Sequence, residues 1–306
     1  MEKLQITNSP HTELLIHRHL VQGLTKELVD RGMSITIAEG ASGGGLIDAI
    51  TIPGSTKIIH IGGVFYSLEA KVHQLGVSKN TIEQHGEYSN EVAMEMAINM
   101  LRGSGASLSI ATVGQLEASK SDGSKYVSVA YVMKGRTPWV KRVVLAKETA
   151  NRRLIKNEIT QTAFSHALYY VRNNYGLFLR DQSAFQYRGE APISYELNAT
   201  HDVAEKLIKG LRVGGLRLAT MESCTAGSIA NAITDIPGSS EVFDYGWLAY
   251  DENIKAKLGV PLAAMTNGNV YSLKVARAMA EALLRRSGVD VVITTTGTLE
   301  TMDIRP

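Results

Sequence analysis

The 306-residue sequence holds a single cysteine, Cys224. An internal disulfide is therefore impossible, which excludes a disulfide-stapled secreted scaffold and points to a cytoplasmic setting. Nothing in the sequence approaches 18 uninterrupted apolar residues, and Met1 to Asn8 has no apolar run of signal-peptide length, so no membrane partner is expected. Neither sign of charge is in excess. Thirty-two Lys and Arg against 30 Asp and Glu leave a net charge of +2, too little to draw nucleic acid. Proline is scarce at 7 and aromatic residues make up 6%, whereas glycine reaches 28, so tight backbone passages and a lightly aromatic core are expected. The remaining composition, 44% hydrophobic and 20% charged, is that of a globular protein, and the length suits two domains.

What is present is a repeat. The segment ITIAEGASGGGLIDAITIPGS from Ile35 returns from Leu216 as LRLATMESCTAGSIANAITDIPGSS. Glu39 matches Glu222 at an offset of 183, and Pro53-Gly54 matches Pro237-Gly238 at 184, so the second copy carries one extra residue, best placed at Asp235. Tyr66 meets Tyr250, Leu75-Gly76-Val77 meets Leu258-Gly259-Val260, and IATVGQLE ending at Glu117 meets ITTTGTLE ending at Glu300. A period this long denotes tandem domains, not a solenoid. The expected division is a first domain at 11–173, a linker at 174–198 and a second domain at 199–306.

Each copy reads alike. A helix with Leu20, Leu24 and Leu28 near helical spacing precedes a short strand (Ser34 to Ala38, or Leu216 to Thr220) that breaks into a small-residue turn and a second helix. A strand around Ile58 to Val64, a short helix through Lys71 and a long helix from Ser89 to Arg102 follow, with Met96, Ala97 and Met100 as core. Then come a buried strand at Leu108 to Val113, a strand pair (Tyr126 to Met133, Trp139 to Leu145) and a closing helix from Asn151 to Arg172. The alternation predicts a three-layer α/β/α fold with a mixed sheet in each of two homologous domains. The second copy ends at Pro306 and is expected to lack the strand pair and closing helix.

Strand, turn, helix is the local shape of a ligand site, and ATMESCTAG at 219–227 is its most informative version. Glu222, Ser223, Cys224 and Thr225 set side-chain oxygens and a thiol beside the backbone N–H groups of a helix start, where an anion is favoured. Ser and Thr there also serve as ordinary N-caps. His17 and His19 fall on different helix faces without partners at ligand spacing, so neither a metal nor another cofactor is expected.

Glu222-Ser223-Cys224-Thr225-Ala226-Gly227, the ITDIPGSS after it, Tyr250, Lys255, LGV and the TTTG at 294–297 together resemble the C-terminal domain of the CinA competence-damage family. The family pattern is ESCTGG, so Ala226 replaces one glycine. The resemblance spans both copies. It implies a nicotinamide-mononucleotide deamidase that turns the carboxamide into nicotinate mononucleotide and ammonia. It implies Ser223 as nucleophile, with Tyr250 and Lys255 completing the catalytic set. A lysine of lowered pKa can take the serine proton without histidine, and N–H groups of the turn would hold the oxyanion. Lys257 competes with Lys255 for the role because Lys255 stands one residue closer to Gly259 than Lys71 does to Gly76. Glu222, Thr225, Gly227, Thr296 and Gly297 fall at expected substrate-binding positions.

The first copy departs where it matters. Glu39-Gly40-Ala41-Ser42 puts Gly40 in place of the serine, while Tyr66 and Lys71 remain, so this copy is expected to be inactive. The run Gly43 to Gly45 suits either phosphate approach or close packing. The family's Gly- and Pro-rich loop is missing from both copies. Its arginine at the last helix is matched only by Arg152 or Arg153, which suggests that copy one lends an arginine to the Ser223 site. The expected partner is a small-molecule nucleotide, with intramolecular pairing of the domains or homo-oligomerisation as the assembly. The competing reading is a catalytically inactive nucleotide-binding or protein-interaction module.

Overall fold

The computed structural model describes residues 10–52, 55–117, 125–145, 151–174, 195–265 and 270–297. Copy one consists of α1 (Pro10–Asp30), β1 (Ile35–Glu39), α2 (Gly45–Ile50), β2 (Ile59–Phe65), α3 (Leu68–His73), α4 (Lys79–His85), α5 (Asn90–Ser104), β3 (Leu108–Gln115), β4 (Tyr126–Met133), β5 (Trp139–Val144) and α6 (Arg152–Asn174). Copy two repeats the pattern with α7 (Tyr195–Gly214), β6 (Leu218–Glu222), α8 (Ser228–Thr234), β7 (Phe243–Ala249), α9 (Glu252–Lys257), α10 (Leu273–Ser287) and β8 (Val291–Thr294). The expected 174–198 linker lies mostly outside the described residues, and α7 already begins within it at Tyr195.

The strands are short and buried because both sheet faces are covered. All five residues of β1 and all five of β6 are inaccessible, the continuous burial expected of central parallel strands. The long helices start and stop on local chemistry. Ser89 and Ser272 accept the N–H groups of Val92 and Val275, and Gly105 and Gly288 close α5 and α10 in the left-handed conformation. Helix α4 left no signal in the sequence since none of its residues is buried, so it carries no apolar period.

The mixed sheets expected for two separate domains are one sheet of eight strands, ordered β5-β4-β3-β1-β2-β7-β6-β8. The copies join where β2 runs antiparallel to β7. In that register Gly63 lies opposite Trp247, its own counterpart 184 residues on, so a pseudo-two-fold axis passes through the pair. The helices α2 and α8 meet on the same axis. Asp48 accepts from the amide of its counterpart Asn231 at 3.1 Å and from Ser228 at 2.7 Å. Both hydrophobic layers run through the joint. Leu24, Ile37, Phe164, Ile208, Leu218 and Phe243 share one core, and Ala38, Met96, Val113, Met221, Tyr245 and Met279 share the other.

This joint explains the glycine run. A Cβ at Gly43 would lie 2.4 Å from Thr234 Oγ1, and one at Gly44 would lie 2.8 Å from the backbone nitrogen of Asn231. The glycines admit the other copy's helix, which is the packing reading. Gly44 also sits at φ +105°, so Gly44→Ala adds backbone strain to a backbone clash. It is expected to cost more than about 2 kcal/mol, seen as a lowered urea midpoint at unchanged slope.

At the far end of copy two, β8 pairs with β6 alone among the described residues and is half-exposed, whereas its counterpart β3 is flanked by β1 and β4. Residues 298–306 lie outside the described part.

Candidate active site

Strand β6 delivers Ser223 at its C-terminal end, where the chain turns into α8. The carboxylate of Glu222 does not face a ligand there. It accepts backbone N–H groups of Gly227, Ile229 and Ala230 at 2.9–3.1 Å and the hydroxyl of Thr225 at 2.7 Å. Glu222 is therefore the cap of α8 and consumes the helix N-terminus that the sequence offered to an anion. Glu39 caps α2 in the same way, through Gly44, Leu46 and Ile47. Burial pushes both carboxyl groups upward against these hydrogen bonds.

Ser223 donates its own N–H to the Thr295 carbonyl at 3.0 Å, with the Thr295 hydroxyl a second acceptor at 3.3 Å. Thr225 and Thr295 share a 2.7 Å hydroxyl contact. Among the described residues, the N–H groups of Cys224 and Thr225 donate to no protein acceptor, so these two remain for a developing oxyanion. The hydroxyl of Thr296 is spent on the Val270 carbonyl at 2.7 Å, and Gly297 lies beside the Cys224 thiol.

Lys255, fully buried, reaches this turn from α9. Its Nζ donates to Ser223 Oγ at 3.3 Å and to the Tyr250 carbonyl at 3.1 Å. Burial pulls the ammonium below the usual lysine range, against the upward effect of Asp251, Glu252 and Cys224. Lys257 is exposed on the same helix, and the competing register has no geometric support. Tyr250 follows β7 and is half-buried, its phenol raised by burial.

Copy one supplies the contrast. Gly40 leaves no hydroxyl, and a Cβ there would lie 2.8 Å from the Thr112 carbonyl. Ser42 bonds Thr112 Oγ1 at 2.7 Å, which is the contact that Thr225 makes with Thr295, so it replaces the threonine and not the missing serine. Lys71 donates to the Tyr66 carbonyl at 3.2 Å as Lys255 does to Tyr250, and forms a 2.7 Å ion pair with Glu87.

Arg152, the first candidate for the loan, is held by copy one's own tyrosine. Arg152 donates to the Tyr66 hydroxyl of copy one, lies 3.8 Å from Glu117, and also donates to the Thr234 carbonyl at the end of α8 in copy two. Arg153 is exposed. The reason is the antiparallel joint. Phe65, before Tyr66, pairs with Tyr245, while Ala249, before Tyr250, pairs with Ile61, so the two sites face opposite ends of the sheet, four residues or roughly 13 Å of strand apart. What α6 does lend to copy two is Lys156, which sequence reading passed over. Its buried Nζ donates to the Asn231 carbonyl, to Thr234 Oγ1 and to the inserted Asp235, each within 2.9 Å. His201, Asp202 and Glu205, exposed on α7, bring their ligand atoms within 4.8 Å of one another, the one cluster of metal-ligand type among the described residues.

A family model for the CinA C-terminal domain matches residues 17–173 and 200–300. The chain belongs to the CinA C-terminal domain family. A CinA-like protein of Akkermansia muciniphila is 47% identical over 83 residues, covering 27% of this chain and 20% of that one. A putative competence-damage inducible protein of Caldicellulosiruptor saccharolyticus is 42% identical over 94 residues, covering 30% and 23%. These curated relatives are thus matched over about a fifth to a quarter of their own length. A CinA superfamily protein of Klebsiella pneumoniae is similar at a TM-score of 0.47 and 23% identity, over 52% of this chain and 98% of its own. Two CinA domains in one chain, sharing one sheet, are what carries Ser223. Among the described residues no helix is long and apolar enough to cross a membrane.

Proposed function

We propose that the second CinA domain is a serine amidohydrolase acting on the carboxamide of nicotinamide mononucleotide. The observation that supports this best is the buried Lys255 ammonium 3.3 Å from Ser223 Oγ, with no ion-pairing carboxylate among the described residues. Neutral Lys255 accepts the Ser223 proton as Oγ attacks the carboxamide carbon. The oxyanion is met by the free N–H groups of Cys224 and Thr225. Collapse breaks the C–N bond, Lys255 returns the proton to the leaving nitrogen as ammonia, and water then hydrolyses the acyl-serine to nicotinate mononucleotide. Thr225, Gly227 and Glu222 act at one remove by fixing the turn, Thr295 holds its far side, Gly297 lies beside the Cys224 thiol, and Thr296 and half-buried Tyr250 are left for the substrate or its surroundings.

The test is ammonia release from nicotinamide mononucleotide by the purified chain, measured beside thermal unfolding with and without the nucleotide. Turnover is the expected result. A raised unfolding temperature with no ammonia would favour the inactive binding module instead.

A further inference from the structure

Glu87 and Val270 occupy the same place in the repeat, each directly before a Tyr-Ser pair that caps the following long helix (Tyr88-Ser89, Tyr271-Ser272). In copy one this position aims a carboxylate at the lysine common to both copies, 2.7 Å from Lys71 Nζ. In copy two it is valine, packed against the apolar core, and Lys255 turns to Ser223. We infer that this position decides which lysine is free to serve as a base: Glu87 locks Lys71 as an ammonium ion, and Val270 leaves Lys255 uncommitted beside Ser223. The first copy is then silenced twice, by the loss of the serine hydroxyl at Gly40 and by capture of the lysine. Position 270 is a positioning residue, acting through Lys255 and not on substrate.

The two ammonium groups also differ in the carboxylates on and beside their own helices. Lys71 has Glu69 on its own helix, Tyr66 before it, and Glu87 and Tyr88 opposite, the phenol of Tyr88 being pushed up to about 12 by burial and so neutral. Lys255 has Asp251 and Glu252 beside it, Cys224 and Ser223 from the turn after β6, Tyr250 before it and Tyr271 opposite. Burial lowers both lysines, and at Lys71 the ion pair with Glu87 is the main opposing effect.

The inference rests on the amidase reading only for its catalytic consequence, so two measurements separate the two. The first follows the side-chain NMR signals of Lys71 and Lys255 in protein carrying 13Cε-lysine, assigned with Lys→Arg variants and titrated with base. Val270→Glu is expected to raise the Lys255 midpoint by at least one unit and Glu87→Gln to lower that of Lys71 by as much, while Val270→Gln leaves Lys255 in place. Unmoved midpoints in either charged-to-neutral comparison overturn the inference, and Glu87→Gln decides it alone if Val270→Glu does not fold. The second is ammonia release against pH. Val270→Glu is expected to lose tenfold or more in kcat/KM at pH 7, the loss shrinking as pH rises, with Val270→Gln near the parent. Equal loss in both variants at every pH would mean that size, not charge, matters, and would overturn it. A parent chain without turnover defeats the proposed function and leaves the titration to decide the rest.

Discussion

Ser223→Ala is expected to bring ammonia release from nicotinamide mononucleotide down to background, a loss of roughly 10⁴-fold or more in kcat. Only the hydroxyl oxygen is removed, from a side chain whose one hydrogen bond among the described residues is with Lys255, so the fold has little to lose. Lys255→Met should act on the same scale, because an unassisted serine hydroxyl is a poor nucleophile and, among the described residues, no histidine or carboxylate hydrogen-bonds the Ser223 hydroxyl. In the parent chain the rate should rise with pH through a midpoint below 10.5, the direction in which burial moves Lys255. The sign follows from the role: the active form is the neutral amine. A rate that is flat or falls over that range would remove Lys255 as the base. Cys224→Ser tests the neighbouring thiol, and retained turnover there with none in Ser223→Ala assigns the nucleophile.

The second large effect is on stability. Lys156 is fully buried at the joint between the copies and satisfied by two acceptors besides the Asp235 carboxylate, which is itself nearly buried. Lys156→Ala leaves that carboxylate without its counter-charge, and removal of one partner of a buried pair costs about 3–5 kcal/mol. Equilibrium urea unfolding should show the loss as one shifted transition for the whole chain, since both cores cross the joint. Lys156→Met combined with Asp235→Asn should recover part of it. Two separated transitions in the parent protein, or a Lys156→Ala midpoint unchanged, would contradict a shared core held by this contact.

The repeat and the strand-turn-helix units could be read from the sequence because each is local, a periodicity over a dozen residues or a motif and its spacing, and the family resemblance is what singled out Ser223 and Lys255, which lie 3.3 Å apart. What could not be read depends on register between distant segments. Arg152 belongs to Tyr66 because β2 and β7 run antiparallel, and no spacing along the chain announces that direction. The glycines at 43 and 44 look like a phosphate loop until the other copy's helix is laid against them. Glu222 reads as a ligand-facing group until the N–H groups it accepts are counted. Lys156 sat unmarked on a long helix, although Asp235, the one inserted residue of the second copy, was visible and is its partner.

The pair at the pseudo-symmetry axis bears on why the two copies differ at all. In an assembly of identical chains, a residue on the axis must pack against itself, so any change there is made twice and at once. Here the axis holds Gly63 against Trp247, with the Trp247 and Phe65 rings 5.1 Å apart and edge to face. A Cβ at Gly63 would lie 2.6 Å from the Phe65 ring and 3.3 Å from Trp247. Two tryptophans have no room there, and two glycines would leave the space unfilled. Covalent linkage frees each position to vary alone, and the same freedom lets one lysine keep a carboxylate while its twin keeps a serine.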